Sequence, residues 1–217
     1  MKNLTHIFGC PRSGTTWLWS LLEEHDRIQV LVKGEPIKGV YNTSESGVYL
    51  HPNSKKVVSS KCEQVLTLNS IVIEKTPIHT LHFDKINDMF PESRNILIVR
   101  NPLSIYESYE KTSIKGLPKD KQGIIRDIKN YFNKYNKIEK NSLVITYEDL
   151  KETTTSTLET IFDYLELPYV DYEHFNTHTK VNVKHVFRKG ETKPSAHLDV
   201  LKNDFADEIK YWKSHLN

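Results

Sequence analysis

The chain has 217 residues, with 30 Lys and Arg against 28 Asp and Glu, so its formal net charge is +2. This length suffices for one sizeable domain, and the nearly balanced charge does not indicate a nucleic-acid-binding face. Two cysteines, Cys10 and Cys62, are too few for a disulfide framework and suit a reducing compartment. No apolar run approaches the length of a membrane span. We therefore expect a single cytoplasmic domain over residues 1–217 with no membrane span.

Short apolar runs alternate with helical patterns along the chain. Continuous apolar runs suit a parallel sheet buried on both faces, and they predict strands at residues 6–9, 28–32, 71–74, 96–100 and 143–148. Apolar residues at three- and four-residue spacing predict helices after Gly14, over 124–138, over 158–165 and from Leu198 to the C-terminus. Residues 39–62 and 172–195 are irregular and are predicted to be loops. The pattern as a whole predicts an α/β layered domain.

The stretch THIFGCPRSGTTWLWSLL, residues 5–22, has the form of a phosphate-binding loop. A strand runs into Gly9, four residues follow, and Gly14 opens an amphipathic helix. The N–H groups at a helix N-terminus attract anions, and a guanidinium such as that of Arg12 suits phosphate or sulfate oxygens. An ordinary helix cap is the simpler alternative, but the convergent donors favour an anion site: the loop amides, the Arg12 guanidinium, and the hydroxyls of Ser13, Thr15 and Thr16.

A magnesium-dependent nucleotide kinase or triphosphatase is the first alternative function. Such enzymes place Lys where this chain has Thr15, and they use an Asp at a strand end to help hold the metal. The strand at 96–100 ends in Arg100 instead, although Glu74 ends the strand at 71–74 and keeps this reading open. A non-catalytic anion-binding module is the second alternative.

Two motifs resemble those of sulfotransferases that use 3′-phosphoadenosine 5′-phosphosulfate (PAPS). PRSGTTW, residues 11–17, resembles the family's 5′-phosphosulfate loop, which implies that Pro11, Arg12, Ser13, Gly14, Thr15, Thr16 and Trp17 bind the sulfate donor. IVRNPLSIYESY, residues 98–109, resembles its 3′-phosphate motif, with Arg100 and Ser108 eight residues apart. The resemblance implies a three-layer fold similar to that of P-loop NTPases, in which helices flank a central parallel sheet. It also implies PAPS as the sulfate donor, 3′-phosphoadenosine 5′-phosphate (PAP) as the product, and no required metal.

Two later segments extend the resemblance. Residues 145–168 resemble the family's strand, Glu-Asp-Leu turn and capped helix, which is structural evidence. FRKGE, residues 187–191, resembles a segment that returns to the 3′-phosphate, which implies a nucleotide contact for Arg188, Lys189 and Gly190; a solvated basic turn is the alternative. Trp17 matches a residue that stacks on adenine in the cytosolic branch, and it can equally belong to the core.

The general base is expected near IVIEKTPIHT, residues 71–80. Cytosolic members carry Lys-Thr-His here with His as the base, whereas this chain has Lys75, Thr76 and Pro77. Other relatives place Glu before the Lys, which implies Glu74 as the base, with Lys75 and Arg12 as catalytic cations. The alternative for Glu74 is a structural ion pair, and the rival base is Glu35, which can equally orient the substrate.

His79 and His82 lie three residues apart, as a metal pair could. No third ligand is suggested nearby, so we predict surface histidines and no metal site. The predicted reaction is sulfuryl transfer to a hydroxyl or amine acceptor. The acceptor can be a glycan, a peptide or a small molecule, and no sequence pattern selects among them.

Overall fold

Five parallel strands form the centre of the structure, a computed structural model that describes residues 1–31, 47–66, 70–170 and 196–216. Their order across the sheet is β2-β3-β1-β4-β5, and every neighbouring pair is parallel. The predicted parallel sheet is therefore confirmed. The strands are β1 Leu4–Phe8, β2 Ile28–Leu31, β3 Ile71–Lys75, β4 Arg94–Val99 and β5 Leu143–Thr146.

Helices cover both faces of the sheet, which gives the predicted three layers. One layer contains α1 Thr15–Leu22, α6 Tyr147–Glu152 and α7 Thr154–Leu165. The other contains α2 Ser54–Leu66, α3 Phe83–Met89, α4 Pro102–Glu110, α5 Lys121–Ile138 and α8 Ala206–Lys213. Four 3₁₀ helices are also described: Val48–Leu50, Pro77–His82, Glu139–Asn141 and Ala196–Leu201.

The strands feed two separate cores because successive side chains of a strand point to opposite faces. Val72 packs in the core on the α5 side, and Ile73 packs in the core on the α1 side. The same alternation carries Glu74 to the α5 side and Lys75 to the α1 side. The two neighbouring residues that the sequence linked as a catalytic pair therefore enter different layers of the fold.

The central position of β1 determines where a ligand can bind. The chain pairs β1 with β3 on one side and with β4 on the other. In open parallel sheets, ligands bind outside the carboxyl ends of the strands at the point where the strand order reverses. The loop after β1 opens at this point.

Two predictions about the fold were wrong. Residues 39–62 are not all loop, because α2 begins at Ser54 and buries Val58, Cys62 and Val65 in the core. The C-terminal apolar stripe does not form one helix: a turn over 202–205 separates the last 3₁₀ helix from α8, and Asn203 and Asp204 are typical turn residues. The predicted loop at 172–195 lies outside the described residues.

Candidate active site

The loop between β1 and α1 has the backbone of an anion site. Gly14 has φ 102°, and a Cβ there would lie 2.5 Å from Cδ2 of Tyr147, so the position requires glycine. Among the described residues, no side chain caps α1, so the first amides of this helix are available to an anion. Thr15 is buried in the first turn, Thr16 is exposed there, and Pro11 is half-buried before it.

Side chains from three other elements hold the start of this loop. The Thr80 hydroxyl accepts from the Gly9 amide at 2.9 Å and donates to the Gly9 carbonyl at 3.1 Å. The Tyr135 hydroxyl of α5 accepts from the Cys10 amide at 2.8 Å, and the Cys10 Sγ lies 3.7 Å from the Tyr109 hydroxyl of α4. Burial raises the pKa of the Cys10 thiol, so it supports the loop as a neutral group. The loop is preorganised by these contacts.

Arg12 connects the loop to the end of β4. Its Nε donates to the Ser108 hydroxyl of α4 at 2.9 Å, and its carbonyl accepts from Nη1 of Arg100 at 2.8 Å. Arg12 has φ 71°, a left-handed conformation that is unfavourable for a residue with a Cβ. The hydrogen bond from Arg100 helps to hold this conformation. The two motifs that the sequence placed 88 residues apart therefore meet directly.

Arg100 is itself held in a partly enclosed position. Its guanidinium lies 4.1 Å from the centre of the Tyr147 ring, close enough for a cation–π contact. Burial lowers the pKa of Arg100 from its ordinary value, and its buried Nε has no hydrogen-bond partner among the described residues. A buried N–H without a partner is unfavourable, and an anionic ligand would satisfy it. Arg100 and Ser108 both contact Arg12, Arg100 through the Arg12 carbonyl and Ser108 through the Arg12 side chain.

Tyr147 is a site residue that the sequence analysis missed. It is the first residue of α6, and its ring lies 5.5 Å from the Trp17 ring in an edge arrangement. Trp17 Nε1 and Ser13 Oγ are buried without hydrogen-bond partners in the described part of the chain. The sequence analysis assigned Tyr147 to a structural turn. The one signal that could have indicated its place in the site was its position directly after a strand end.

Glu148 is a second residue whose role was not foreseen. It is buried, and its carboxylate accepts from the Asn101 amide at 3.2 Å and from Trp212 Nε1 at 3.1 Å. Burial raises the pKa of this carboxyl. Glu148 thereby ties the start of α4, next to Arg100, to α6 and α8.

Lys75 reaches the first turn of α1 from β3. Its side chain is fully buried, and its Nζ donates to the Thr16 hydroxyl at 3.2 Å and lies 5.7 Å from the centre of the Trp19 ring. The loop lacks the lysine of triphosphatases, and a neighbouring strand supplies an ammonium group to the same helix end. Lys75 therefore stands close to the predicted loop.

Glu74 lies apart from this cluster. It is opposite His6 in the register of β1 and β3, two residues before β1 ends at Phe8. Its Oε1 accepts from the Thr76 hydroxyl at 2.7 Å, and its Oε2 lies 3.0 Å from Nδ1 of His79. Glu74 is 1% exposed and His79 is fully buried, so the prediction of a surface histidine holds for His82 but is wrong for His79.

Some predicted site residues lie outside the described residues, namely Glu35, Arg188, Lys189 and Gly190. Within the described ranges, no group of three or more His, Cys, Asp or Glu side chains is arranged to hold a metal ion. None of the helices in those ranges combines the length and the apolar character needed to cross a membrane.

A sequence model described as the sulfotransferase family matches residues 37–171, more than half of the chain. The chain belongs to the sulfotransferase family. The matched range contains Glu74, Lys75, Arg100 and Ser108, and it begins after the loop that carries Arg12. No curated protein sequence matches the chain.

Solved sulfotransferase structures share the fold. The sulfotransferase domain from the curacin biosynthetic pathway is 17% identical, with a TM-score of 0.61 and coverage of 100% of this chain and 92% of that one. The sulfotransferase domain of the Synechococcus PCC 7002 olefin synthase is also 17% identical, with a TM-score of 0.60 and coverage of 100% and 98%. Mouse sulfotransferase SULT7A1, solved in complex with PAP, is 15% identical, with a TM-score of 0.59 and coverage of 99% and 88%. These likenesses confirm the predicted sulfotransferase fold.

Proposed function

We propose that this chain transfers the sulfuryl group of PAPS to a hydroxyl or amine acceptor and releases PAP. The observation that carries the proposal is the contact between the two anion-binding elements, in which Arg12 donates to Ser108 and Arg100 donates to the Arg12 carbonyl. A carrier with anionic groups at both its 5′ and 3′ positions suits such a paired site. The PAP complex of the mouse enzyme supports the same nucleotide here.

Each part of the site has a role in this proposal. Arg12 and the first amides of α1 hold the 5′-phosphosulfate, because a guanidinium and a helix N-terminus both favour anions. Arg100 and Ser108 hold the 3′-phosphate, and Arg188, Lys189 and Gly190 stay proposed as further contacts to it. The rings of Trp17 and Tyr147 offer faces on which an adenine can stack.

The reaction is an in-line displacement that resembles phosphoryl transfer, so positioning and charge stabilisation contribute most of the catalysis. The acceptor oxygen or nitrogen forms a bond to sulfur while the bond from sulfur to the 5′-phosphate oxygen breaks. The acceptor proton passes to a base, and the electron pair of the broken bond leaves with PAP. Lys75 and the α1 amides stabilise the charge that develops on the leaving oxygen.

Glu74 and Glu35 are the two candidate bases. A base must come within hydrogen-bond reach of the acceptor proton. Glu74 is buried; its Oε1 already accepts a hydrogen bond from Thr76, and its Oε2 lies within hydrogen-bond distance of Nδ1 of His79. This environment supports a proposal in which Glu74 has a supporting role, and we propose Glu35, the rival base in the sequence analysis, as the base.

Calorimetry with unmodified protein tests the choice of nucleotide. We expect PAP to bind more tightly than ATP, and EDTA to leave PAP binding unchanged, because fixed cations and amides replace the metal. ATP binding that exceeds PAP binding and disappears in EDTA would reverse the assignment in favour of a nucleotide kinase or triphosphatase. Tight PAP binding without turnover of labelled PAPS on hydroxyl and amine acceptors would instead indicate a binding module.

Arg100→Ala tests the 3′-phosphate site. We expect this change to weaken PAP binding by about 1.5–3 kcal/mol, because charged hydrogen bonds to the phosphate are lost. The matched control is Arg94→Ala at the opposite end of β4, where the guanidinium pairs with Glu166 at 2.7 Å. Calorimetric titration of both variants with PAP measures the effect, and equal dissociation constants for the two variants would contradict the site.

A further inference from the structure

We infer that His79 is a positioning residue of the proposed sulfuryl transfer, which holds the end of β3, and with it Lys75, through the Glu74 carboxylate. The inference rests on the proposed function and extends it to residues outside the nucleotide cluster. It gives His79 no contact with the donor or the acceptor.

Hydrogen bonds from neighbouring residues surround the Glu74 carboxylate. Thr76 donates its hydroxyl to Oε1 at 2.7 Å, and the same hydroxyl accepts from the Gly47 amide at 3.1 Å. His79 places Nδ1 3.0 Å from Oε2, and its amide donates to the Thr76 carbonyl at 2.9 Å. The carboxylate thus links β3, the following 3₁₀ helix and the segment at Gly47.

Successive side chains of β3 point to opposite faces of the sheet. Glu74 and Lys75 point to opposite faces of the sheet, so the backbone between them is held from both sides. Lys75 donates to Thr16 on one face, while Glu74 is bound by Thr76 and His79 on the other. A shift of the Glu74 side chain would therefore move the backbone that carries Lys75. Displacements of about 1 Å can lower catalytic rates by about 100-fold.

Two further titratable side chains, His6 and Tyr49, lie near the Glu74 carboxylate. Burial lowers the pKa of His6 to about 4, so this neighbour is neutral at pH 7. Its Nε2 lies 2.6 Å from the Tyr49 hydroxyl, and Tyr49 packs against the His79 ring with 4.9 Å between ring centres. Because burial also raises the pKa of Tyr49, its hydroxyl stays protonated. Of His6, Tyr49 and His79, it is therefore His79 that has an N–H placed to stabilise the carboxylate, and the geometry assigns the proton to Nδ1.

Matched variants separate this role from simple packing. His79→Leu removes the donor, His79→Asn places an amide N–H near the position of Nδ1, and His82→Leu alters an exposed histidine of the same 3₁₀ helix. Single-turnover release of PAP from PAPS, with water as the acceptor, measures the rate without a known acceptor. We expect His79→Leu to slow release by about 10- to 100-fold with an unchanged Kd for PAP, His79→Asn to restore most of the rate, and His82→Leu to have no effect.

Two results would overturn the inference: a wild-type rate in His79→Leu, or equal impairment of folded His79→Asn and His79→Leu. Should His79→Leu fail to fold, long-range ¹H–¹⁵N NMR of the unmodified protein still decides the hydrogen bond. We expect a proton on Nδ1 of His79 and a changed Nδ1 signal in Glu74→Gln, whereas an unprotonated Nδ1 would refute the contact. Absence of PAP binding and of PAPS turnover in the unmodified protein would refute the proposed function and with it the role in transfer. The hydrogen bond between His79 and Glu74 would still be decided by the NMR result, which does not depend on the nucleotide.

Discussion

Glu74→Leu is expected to lower the free energy of unfolding by about 1–3 kcal/mol for each of the two buried donors that lose their acceptor. Leucine has a similar volume, so the loss comes mainly from polar partners rather than from a cavity. The Thr76 hydroxyl and Nδ1 of His79 would both lose their acceptor in a region that is closed to water. Urea denaturation of the protein without nucleotide measures the change.

Glu159→Leu is the matched control, because this glutamate lies exposed on α7. Surface substitutions of this kind change stability by about 0.5 kcal/mol or less. If Glu74→Leu lowered the free energy of unfolding by only about 0.5 kcal/mol, the buried hydrogen bonds around the carboxylate would be contradicted. The slope of the free energy of unfolding against urea concentration should be the same in both variants. A change of slope in only one of them would indicate an altered unfolded state, and the two free energies would then be compared with a second probe.

Glu35→Gln is expected to lower the rate of sulfuryl transfer by about 10²–10⁴-fold, the usual contribution of a general base. The amide keeps the size of the carboxylate but does not take up the acceptor proton, so PAP affinity should stay unchanged. Turnover of labelled PAPS, together with calorimetric titration of PAP, measures both quantities. The measurement needs an acceptor that the unmodified protein uses, found by screening hydroxyl and amine compounds.

Glu74→Gln is the comparison that decides between the two carboxylates. The glutamine oxygen can still accept from Thr76, so the fold is disturbed less than in Glu74→Leu. We expect a smaller loss of transfer in Glu74→Gln than in Glu35→Gln. The reverse order, with a stable Glu74→Gln protein that binds PAP and does not transfer, would return the base to Glu74.

Much of the candidate nucleotide site could be proposed from the sequence because short motifs carry their own geometry. The glycines and hydroxyls of residues 9–16 need only the strand before them and the helix after them to form an anion site. Arg100 could be placed at a strand end, and Ser108 two turns along the next helix, from local spacing alone. The five strands were also visible as continuous apolar runs, since a sheet buried on both faces needs apolar side chains in both directions.

Other features depended on contacts between distant parts of the chain. Local spacing did not indicate that Arg12 would bond Ser108, that Tyr147 would pack against Gly14 and Arg100, or that Trp212 would reach Glu148. The helix α2 was missed because its few apolar residues are separated by lysines and serines, which gives a weak helical pattern. These apolar residues are recognisable as a buried face only when the structure shows them packed against the core.

The sequence alone determined the glycine-containing loop after β1, the cation at the end of β4 and the parallel sheet, because each depends on neighbouring residues and on the alternation of apolar segments. The tertiary structure alone decided the surroundings of Glu74 and Lys75. These two adjacent residues of a strand face opposite layers of the fold. Their partners, His79 for Glu74 and Thr16 for Lys75, are determined by how the chain packs rather than by local sequence.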